Sequence, residues 1–294
     1  MSICIKILLM PRKIKKISKE LYMEIGVMVH LMDDNIDARF KQVKDHGFKW
    51  CQLCAWKHEL FTEEVAQKID EARLKYGVEI STFWCGYSGP VYWNFYEGQN
   101  TLGIVPHEYR EMRCKELKHG SDYAKRLGVK QIATHFGYLY ENPLCDDYQP
   151  LIAAIRDVAE YCKANGQKLL FETGQETPVT LRRVIEDVGT GNLGINLDPA
   201  NLILYGKGNP VDALDVFGEY VCDIHAKDGK YPTNGRDLGV ETIVGAGKVN
   251  FPKFISTLKE IGYNGTLIIE REIWGEQQIK DINDTKIYLE ELIG

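Results

Sequence analysis

Residues 168–172 read KLLFE, a short apolar run that is closed by a carboxylate. The same arrangement returns in LGINLD (193–198), YVCDIH (220–225) and TLIIE (266–270). A parallel strand buried on both faces has a continuous apolar run, so a charged residue that closes the run marks where the strand leaves the core. Four such runs predict strands that end at one shared edge. The residues that close them are Glu172, Asp198, His225 and Glu270.

Strands and helices alternate from about Met23 to the end of the chain. The predicted strands are EIGVMV (24–29), WCQLC (50–54), VEISTFW (78–84), VKQIATH (129–135), QKLLFE (167–172), LGINLD (193–198), VCDIH (221–225) and GTLIIE (265–270). Helical segments follow them at 34–47, 62–77, 108–128, 147–166, 177–189, 209–220, 250–262 and 279–293. This alternation predicts an α/β fold, a single (β/α)₈ barrel. Catalytic groups of such barrels lie at the carboxyl ends of the strands.

Length and composition agree with one barrel. The chain has 294 residues, of which 44% are hydrophobic, and single barrels often have about 250 residues. We expect an N-terminal extension at 1–22 and the barrel domain at 23–294. In the extension an apolar segment precedes a basic one, the reverse of a signal peptide, and no run reaches the 18 apolar residues of a membrane span.

Charge and cysteine content narrow the partners and the compartment. The net charge is −6 and basic residues are interspersed with acidic ones, so nucleic acid is not an expected partner. The eight cysteines are scattered and are interpreted as reduced thiols of a cytoplasmic protein. We also expect a homo-oligomer, a dimer or a tetramer.

The connection after the third strand is unusually long. Residues 86–106 are rich in glycine and aromatic side chains, and connections of this length are uncommon unless they form a lid or a binding loop. We expect Trp93 to contact the substrate, because an aromatic face suits the apolar face of a sugar ring. A hydrophobic plug over the barrel mouth or a subunit interface is the alternative.

Three carboxylates and one imidazole form a ligand set dominated by hard oxygen donors. The set predicts one divalent metal ion, with Mn²⁺ favoured and Mg²⁺, Co²⁺ or Zn²⁺ as alternatives. Such an ion polarises a carbonyl and acidifies the neighbouring C–H of a polyhydroxy ketone or aldehyde. Glu172 and Glu270 come from different parts of the rim and are the candidate catalytic acid and base.

From about Met23 onward the sequence resembles the sugar phosphate isomerase/epimerase superfamily. These xylose-isomerase-like barrels include ketose 3-epimerases, inosose dehydratases and the metal-dependent AP endonucleases of family 2. The stretches that carry the resemblance are FETGQETP (171–178), NLDPAN (196–201), HAKDG (225–229) and VGAGKVNFPKFISTLKEIGYNGTLIIERE (244–272). The resemblance implies a metal held by Glu172, Asp198, His225 and Glu270, with the two glutamates acting as acid and base.

The predicted activity is isomerisation or epimerisation of a sugar or keto-sugar, with or without a phosphate group, through an enediolate. The alternative is a lyase that dehydrates a keto-inositol or a 3-keto sugar, because proton abstraction next to a carbonyl begins both reactions. An AP endonuclease is less favoured. The resemblance implies that those enzymes hold a trinuclear zinc site and have a histidine at the position where this chain has Asn201. Further candidate substrate contacts are His30, His135, Glu176, Asn201 and Lys227.

Overall fold

The computed structural model of the protein describes residues 23–33 and 35–294. The extension predicted at 1–22 lies outside these residues. The strands are β1 Glu24–Leu31, β2 Trp50–Ala55, β3 Glu79–Cys85, β4 Gln131–Thr134, β5 Lys168–Glu172, β6 Leu193–Leu197, β7 Val221–Ala226, β8 Asp228–Lys230, β9 Val240–Thr242 and β10 Thr266–Ile269.

Helices cover most of the connections between the strands. They are α1 Ile36–Asp45, α2 Glu63–Tyr76, α3 Gly98–Thr101, α4 His107–Arg126, α5 Tyr148–Ala164, α6 Pro178–Val188, α7 Pro199–Leu204, α8 Pro210–Phe217, α9 Phe251–Ile261 and α10 Glu276–Ile293. Local chemistry fixes their ends. The Thr62 hydroxyl accepts from Val65 N at the start of α2, and Gly77 ends that helix with a φ of 66°, a left-handed conformation that favours glycine.

Eight parallel strands close into a barrel in the order β1-β10-β7-β6-β5-β4-β3-β2. Each of the eight strands predicted from the sequence overlaps one of them. Because all strands run in the same direction, their carboxyl ends share one mouth. The (β/α)₈ prediction is therefore confirmed.

Four short elements depart from the predicted pattern. Strands β8 and β9 pair antiparallel outside the barrel, and the short helices α3 and α7 were not predicted. Each lies in a connection after a barrel strand, where the chain is too short or too irregular for a clear hydrophobic period. The core has two parts. Leu169 and Phe171 belong to the main hydrophobic cluster, whereas Leu170 packs with Cys54 and Trp84 in a separate, smaller one. No helix among the described residues is both long and apolar enough to cross a membrane.

Candidate metal centre

Four side chains from four strands meet at the barrel mouth. Glu172 is the last residue of β5, Asp198 follows β6, His225 lies in β7 and Glu270 follows β10. One ligand atom from each lies within 4.8 Å of the others. Asp198 and His225 are fully buried and Glu172 is 4% exposed. The four residues selected from the sequence therefore form a possible metal site.

Two buried atoms in this cluster are left for a cation. Oδ1 of Asp198 accepts from Asn201 N at 3.0 Å and so caps α7. Its Oδ2 and Nδ1 of His225 are buried and make no hydrogen bond of good geometry in the described part of the chain, and their nearest charged neighbours lie at 3.1 Å or more. A buried polar atom that stays unpaired costs free energy. A divalent ion between these atoms would remove that cost, so the residues present fit a metal.

The pKa shifts of these side chains also favour a bound cation. Nδ1 of His225 lies 3.2 Å from Glu172 Oε1 and 3.1 Å from Glu270 Oε2. Burial lowers the pKa of His225, but Glu270 and Glu172 outweigh it and raise the pKa well above the usual value. Burial raises the pKa of Glu172, but His135 and His225 outweigh it and hold that pKa well below its usual range. The cluster is thus a set of ionised carboxylates that favours positive charge.

A buried relay fixes the orientation of His225. Nε2 of His225 faces two side-chain amides, with Oε1 of Gln52 at 2.8 Å and Nδ2 of Asn196 at 3.0 Å. Gln52 is itself held, because its Nε2 donates to Asp223 Oδ2 and to Asn196 Oδ1, both at 3.2 Å. Asp223 is anchored by Thr82, whose hydroxyl donates at 2.6 Å. The relay leaves Nδ1 of His225 as the free nitrogen that faces the carboxylates.

Lys227 lies inside the cluster and is already neutralised. Its ammonium group is 2.8 Å from Glu272, 3.3 Å from Glu270 and 3.5 Å from Asp198. Burial lowers the pKa of Lys227, but Glu270, Glu272 and Asp198 raise it well above the usual value. Lys227 is 2% exposed. It is therefore a cation balanced by three carboxylates.

Glu172 has three neutral or cationic neighbours besides His225. Nε1 of Trp84 donates to its Oε2. On the other oxygen, His135 Nε2 lies at 3.3 Å and Asn201 Nδ2 donates at 3.5 Å. These contacts fix both oxygens of Glu172 in place.

A cavity of about 320 Å³ opens above the cluster. Of the substrate contacts predicted from the sequence, His30, Trp93, His135, Asn201 and Lys227 line it. Glu176 is not among the residues that line this cavity, and it is only 3% exposed. Burial raises the pKa of Glu176 to about 7. Its role as a substrate contact remains a prediction.

The long connection after β3 is a fixed wall of the mouth. The buried Arg113 of α4 donates to the carbonyl oxygens of Ser88, Pro90, Thr101 and Gly103. The guanidinium also lies 4.3 Å from the Tyr87 ring centroid. Trp93, on this loop, is 43% exposed, lines the cavity, and lies 4.9 Å from the His135 ring. The loop therefore presents an aromatic side chain to the cavity.

Sequence reasoning missed several residues of the site. Trp84 is the penultimate residue of β3, as His225 is of β7, so its place near a strand end could have marked it. Gln52 lies within β2 and Glu272 lies two residues beyond Glu270, and neither carries a signal of its own. The carboxylate of Asp228 accepts from the backbone N–H groups of residues 229, 245, 247 and 249, so the glycine-rich residues 245–248 form a loop folded around it.

Comparison with known proteins agrees with this architecture. A xylose isomerase domain protein from Planctomyces limnophilus is 35% identical, with a TM-score of 0.87 over 92% of this chain and 97% of that one. A D-tagatose 3-epimerase-like protein is 21% identical, with a TM-score of 0.70 over 92% and 97% of the two chains. Inosose dehydratase from Geobacillus kaustophilus is 25% identical over 142 residues, which cover 43% of this chain and 46% of the dehydratase.

The family assignment rests on most of the chain. Residues 40–291 match the family described as xylose isomerase-like TIM barrel. This range contains all four residues of the possible metal site. The protein belongs to the xylose isomerase-like TIM barrel family.

Proposed function

We propose that the protein is a divalent-metal-dependent enzyme that isomerises or epimerises a sugar or keto-sugar by moving a proton next to a carbonyl. The observation that carries the proposal is the pair of glutamates, Glu172 and Glu270, which both line the cavity and both approach Nδ1 of His225. General acid–base catalysis needs such groups within reach of one substrate.

Glu172, Asp198, His225 and Glu270 would hold the metal, and Mn²⁺ is the ion we favour. When bound, the metal would polarise the substrate carbonyl and acidify the adjacent C–H. The resemblance of this chain to the sugar isomerase and epimerase barrels supports the assignment of the same four residues.

The charge state of the two glutamates is set by their cationic neighbours. Burial raises the pKa of Glu270, but Lys227 and His225 outweigh it and lower that pKa to about 2, and the pKa of Glu172 also lies well below its usual range. Both are therefore ionised near neutral pH. One carboxylate would remove the proton next to the carbonyl. The carboxylic acid so formed would return that proton to a different carbon, or the second glutamate, after taking a proton from solvent, would return one to the opposite face.

An uncharged sugar fits the cavity better than a phosphate ester. Lys227 is the cation that lines the cavity among the described residues, and its charge is balanced by three carboxylates. The aromatic rings of Trp56, Trp84 and Trp93 line the same space and suit the apolar face of a sugar. A small-molecule carbohydrate as substrate, a cytoplasmic location and a homo-oligomer are parts of this proposal.

Substitution of each glutamate tests it. Glu172→Gln or Glu270→Gln keeps an oxygen towards the metal but removes the base, so turnover of ketose substrates should fall by at least about 10²-fold. Solvent deuterium should enter the wild-type product next to the carbonyl. Glu79→Gln at the opposite end of the barrel is the control and should retain full activity. Full activity in both active-site variants would refute the proposal.

A lyase is the second candidate, and the partial similarity to inosose dehydratase favours it. The same proton abstraction would then be followed by loss of a hydroxyl group as water. Product analysis distinguishes the two. A keto-inositol or 3-keto sugar would give an unsaturated product with a new ultraviolet absorbance, whereas an isomerase or epimerase leaves the number of hydroxyl groups unchanged.

A further inference from the structure

A second cavity, of about 640 Å³, lies beside the one above the metal cluster. Gln175 and Tyr205 line both cavities and form their common wall. The second cavity is bounded by the long connection after β3 (residues 86–106, here the aromatic loop), the connections after β4 and β6, and the segment before α6. None of the roles proposed above uses it.

The common wall contains buried polar atoms without a good hydrogen bond. Gln175 is 1% exposed, and neither atom of its amide has a hydrogen-bond partner within residues 23–33 and 35–294. The hydroxyl of Tyr205, which is 5% exposed, lies next to the Gln175 side chain but likewise makes no hydrogen bond of good geometry among those residues. Each such atom costs about 1–3 kcal/mol when it stays unpaired. A ligand with several hydroxyl groups could satisfy both side chains.

Aromatic rings line the second cavity next to this wall. The Tyr205 ring centroid lies 6.2 Å from that of Phe95 and 6.1 Å from that of Tyr138. Tyr138 is held in place because its hydroxyl donates to Asn94 O at 2.8 Å. Aromatic faces bordered by an amide and hydroxyls offer both an apolar surface and hydrogen bonds, which is what a sugar ring requires.

The charged groups of the second cavity are already engaged. Lys207 lies 3.9 Å from Glu141 and above the Tyr138 ring at 5.9 Å. Asp147 accepts from Arg110 at 2.6 Å and from Tyr140 at 2.6 Å. The cavity therefore suits a neutral ligand.

We propose that the second cavity binds a second sugar residue, glycosidically joined to the sugar that reacts at the metal cluster. Gln175 lies where the glycosidic bond would pass from one cavity to the other, and its amide would hydrogen-bond to hydroxyls of either ring. This inference rests on the proposed function, since it assumes a sugar in the first cavity. It makes the substrate a disaccharide or a larger glycoside.

Binding measurements on the Mn²⁺-loaded protein test the inference. The probes are D-fructose and three glucosyl-fructoses that keep a free ketone: turanose, maltulose and isomaltulose. Calorimetry should give at least one disaccharide a Kd about tenfold or more below that of fructose. Tyr138→Ala and, independently, Phe95→Leu should remove this gain and leave the Kd of fructose unchanged, because neither residue lines the first cavity. Tyr161→Ala on the outer surface is the matched control.

The outcomes separate the two proposals. Fructose binding without tighter binding of any of the disaccharides would overturn the second sugar site and leave the proposed function standing. A gain that survives both Tyr138→Ala and Phe95→Leu would overturn it as well. If none of the four sugars binds, the proposed function and the second sugar site fail together.

Discussion

Nη1 of Arg113 donates to the carbonyl oxygen of Gly103 at 2.6 Å and ties helix α4 to the far end of the aromatic loop. The same guanidinium reaches Ser88 near the start of the loop at 3.0 Å. One side chain therefore connects two points of the loop that are fifteen residues apart in the sequence. The loop that places Trp93 over the cavity depends on this buried cation.

We predict that Arg113→Met loosens the aromatic loop. Four carbonyl oxygens lose their donor, so the free energy of unfolding should fall by at least about 2 kcal/mol. The catalytic efficiency should fall mainly through KM, because Trp93 loses its fixed position. Urea unfolding and steady-state kinetics measure the two effects.

Arg156→Met is the matched control, since Arg156 also donates to backbone carbonyls but on the outside of the barrel. It should lower stability without raising KM. An Arg113→Met variant with wild-type KM would contradict a role of this arginine in shaping the mouth.

His225→Ala should abolish stoichiometric metal binding. The imidazole supplies the nitrogen ligand of the proposed set, and without it three carboxylates converge with less compensation. Elemental analysis after dialysis against Mn²⁺ should find one ion per wild-type chain and far less in the variant. His58→Ala, whose ring lies away from the cluster and contacts Gly86 O, should keep the metal. A wild-type protein that takes up no ion would refute the metal centre itself.

Gln52→Leu should weaken metal binding without removing a ligand. The substitution removes one of the two amides at Nε2, so the His225 ring is freer to rotate or change tautomer. Such outer contacts contribute about 10- to 100-fold in affinity. Titration calorimetry with Mn²⁺ measures the change, and ¹⁵N chemical shifts of the metal-free protein report the tautomer. Gln167→Leu is the control: it removes another buried glutamine, one that bonds to Ser121 at the opposite end of the barrel, and should leave both readouts unchanged.

Glu176 should make stability depend on pH. Burial raises its pKa from 4.5 to about 7, so between these values the folded protein keeps a proton that the unfolded chain has released. The contribution is fully present below about pH 4.5 and is lost as the pH rises through about 7. The stability of the wild type relative to Glu176→Gln should therefore fall by about 3 kcal/mol across this window. Denaturant unfolding with a chelator present measures it, and two parallel pH curves would show that the carboxyl is solvated.

The barrel and its four strand-end residues were predictable from the sequence. Continuous apolar runs identify strands buried on both faces, and a polar residue at the end of each run can lie only at an edge. Glu172, Asp198, His225 and Glu270 each follow this rule. Eight parallel strands close into a barrel, and closure brings the side chains at their carboxyl ends together. The proximity of the four residues therefore follows from the predicted fold.

The surroundings of these residues were decided by tertiary structure alone. Gln52 reaches His225 and Arg113 reaches the loop after β3 because strands and helices distant in sequence pack together, and no local pattern records those pairings. Lys227 illustrates the difference: its sequence position suggested a free cation for substrate, whereas packing surrounds it with three carboxylates. Hydrophobic periodicity specifies which face of an element is buried, but the partner of a buried polar group is set only when the whole barrel closes.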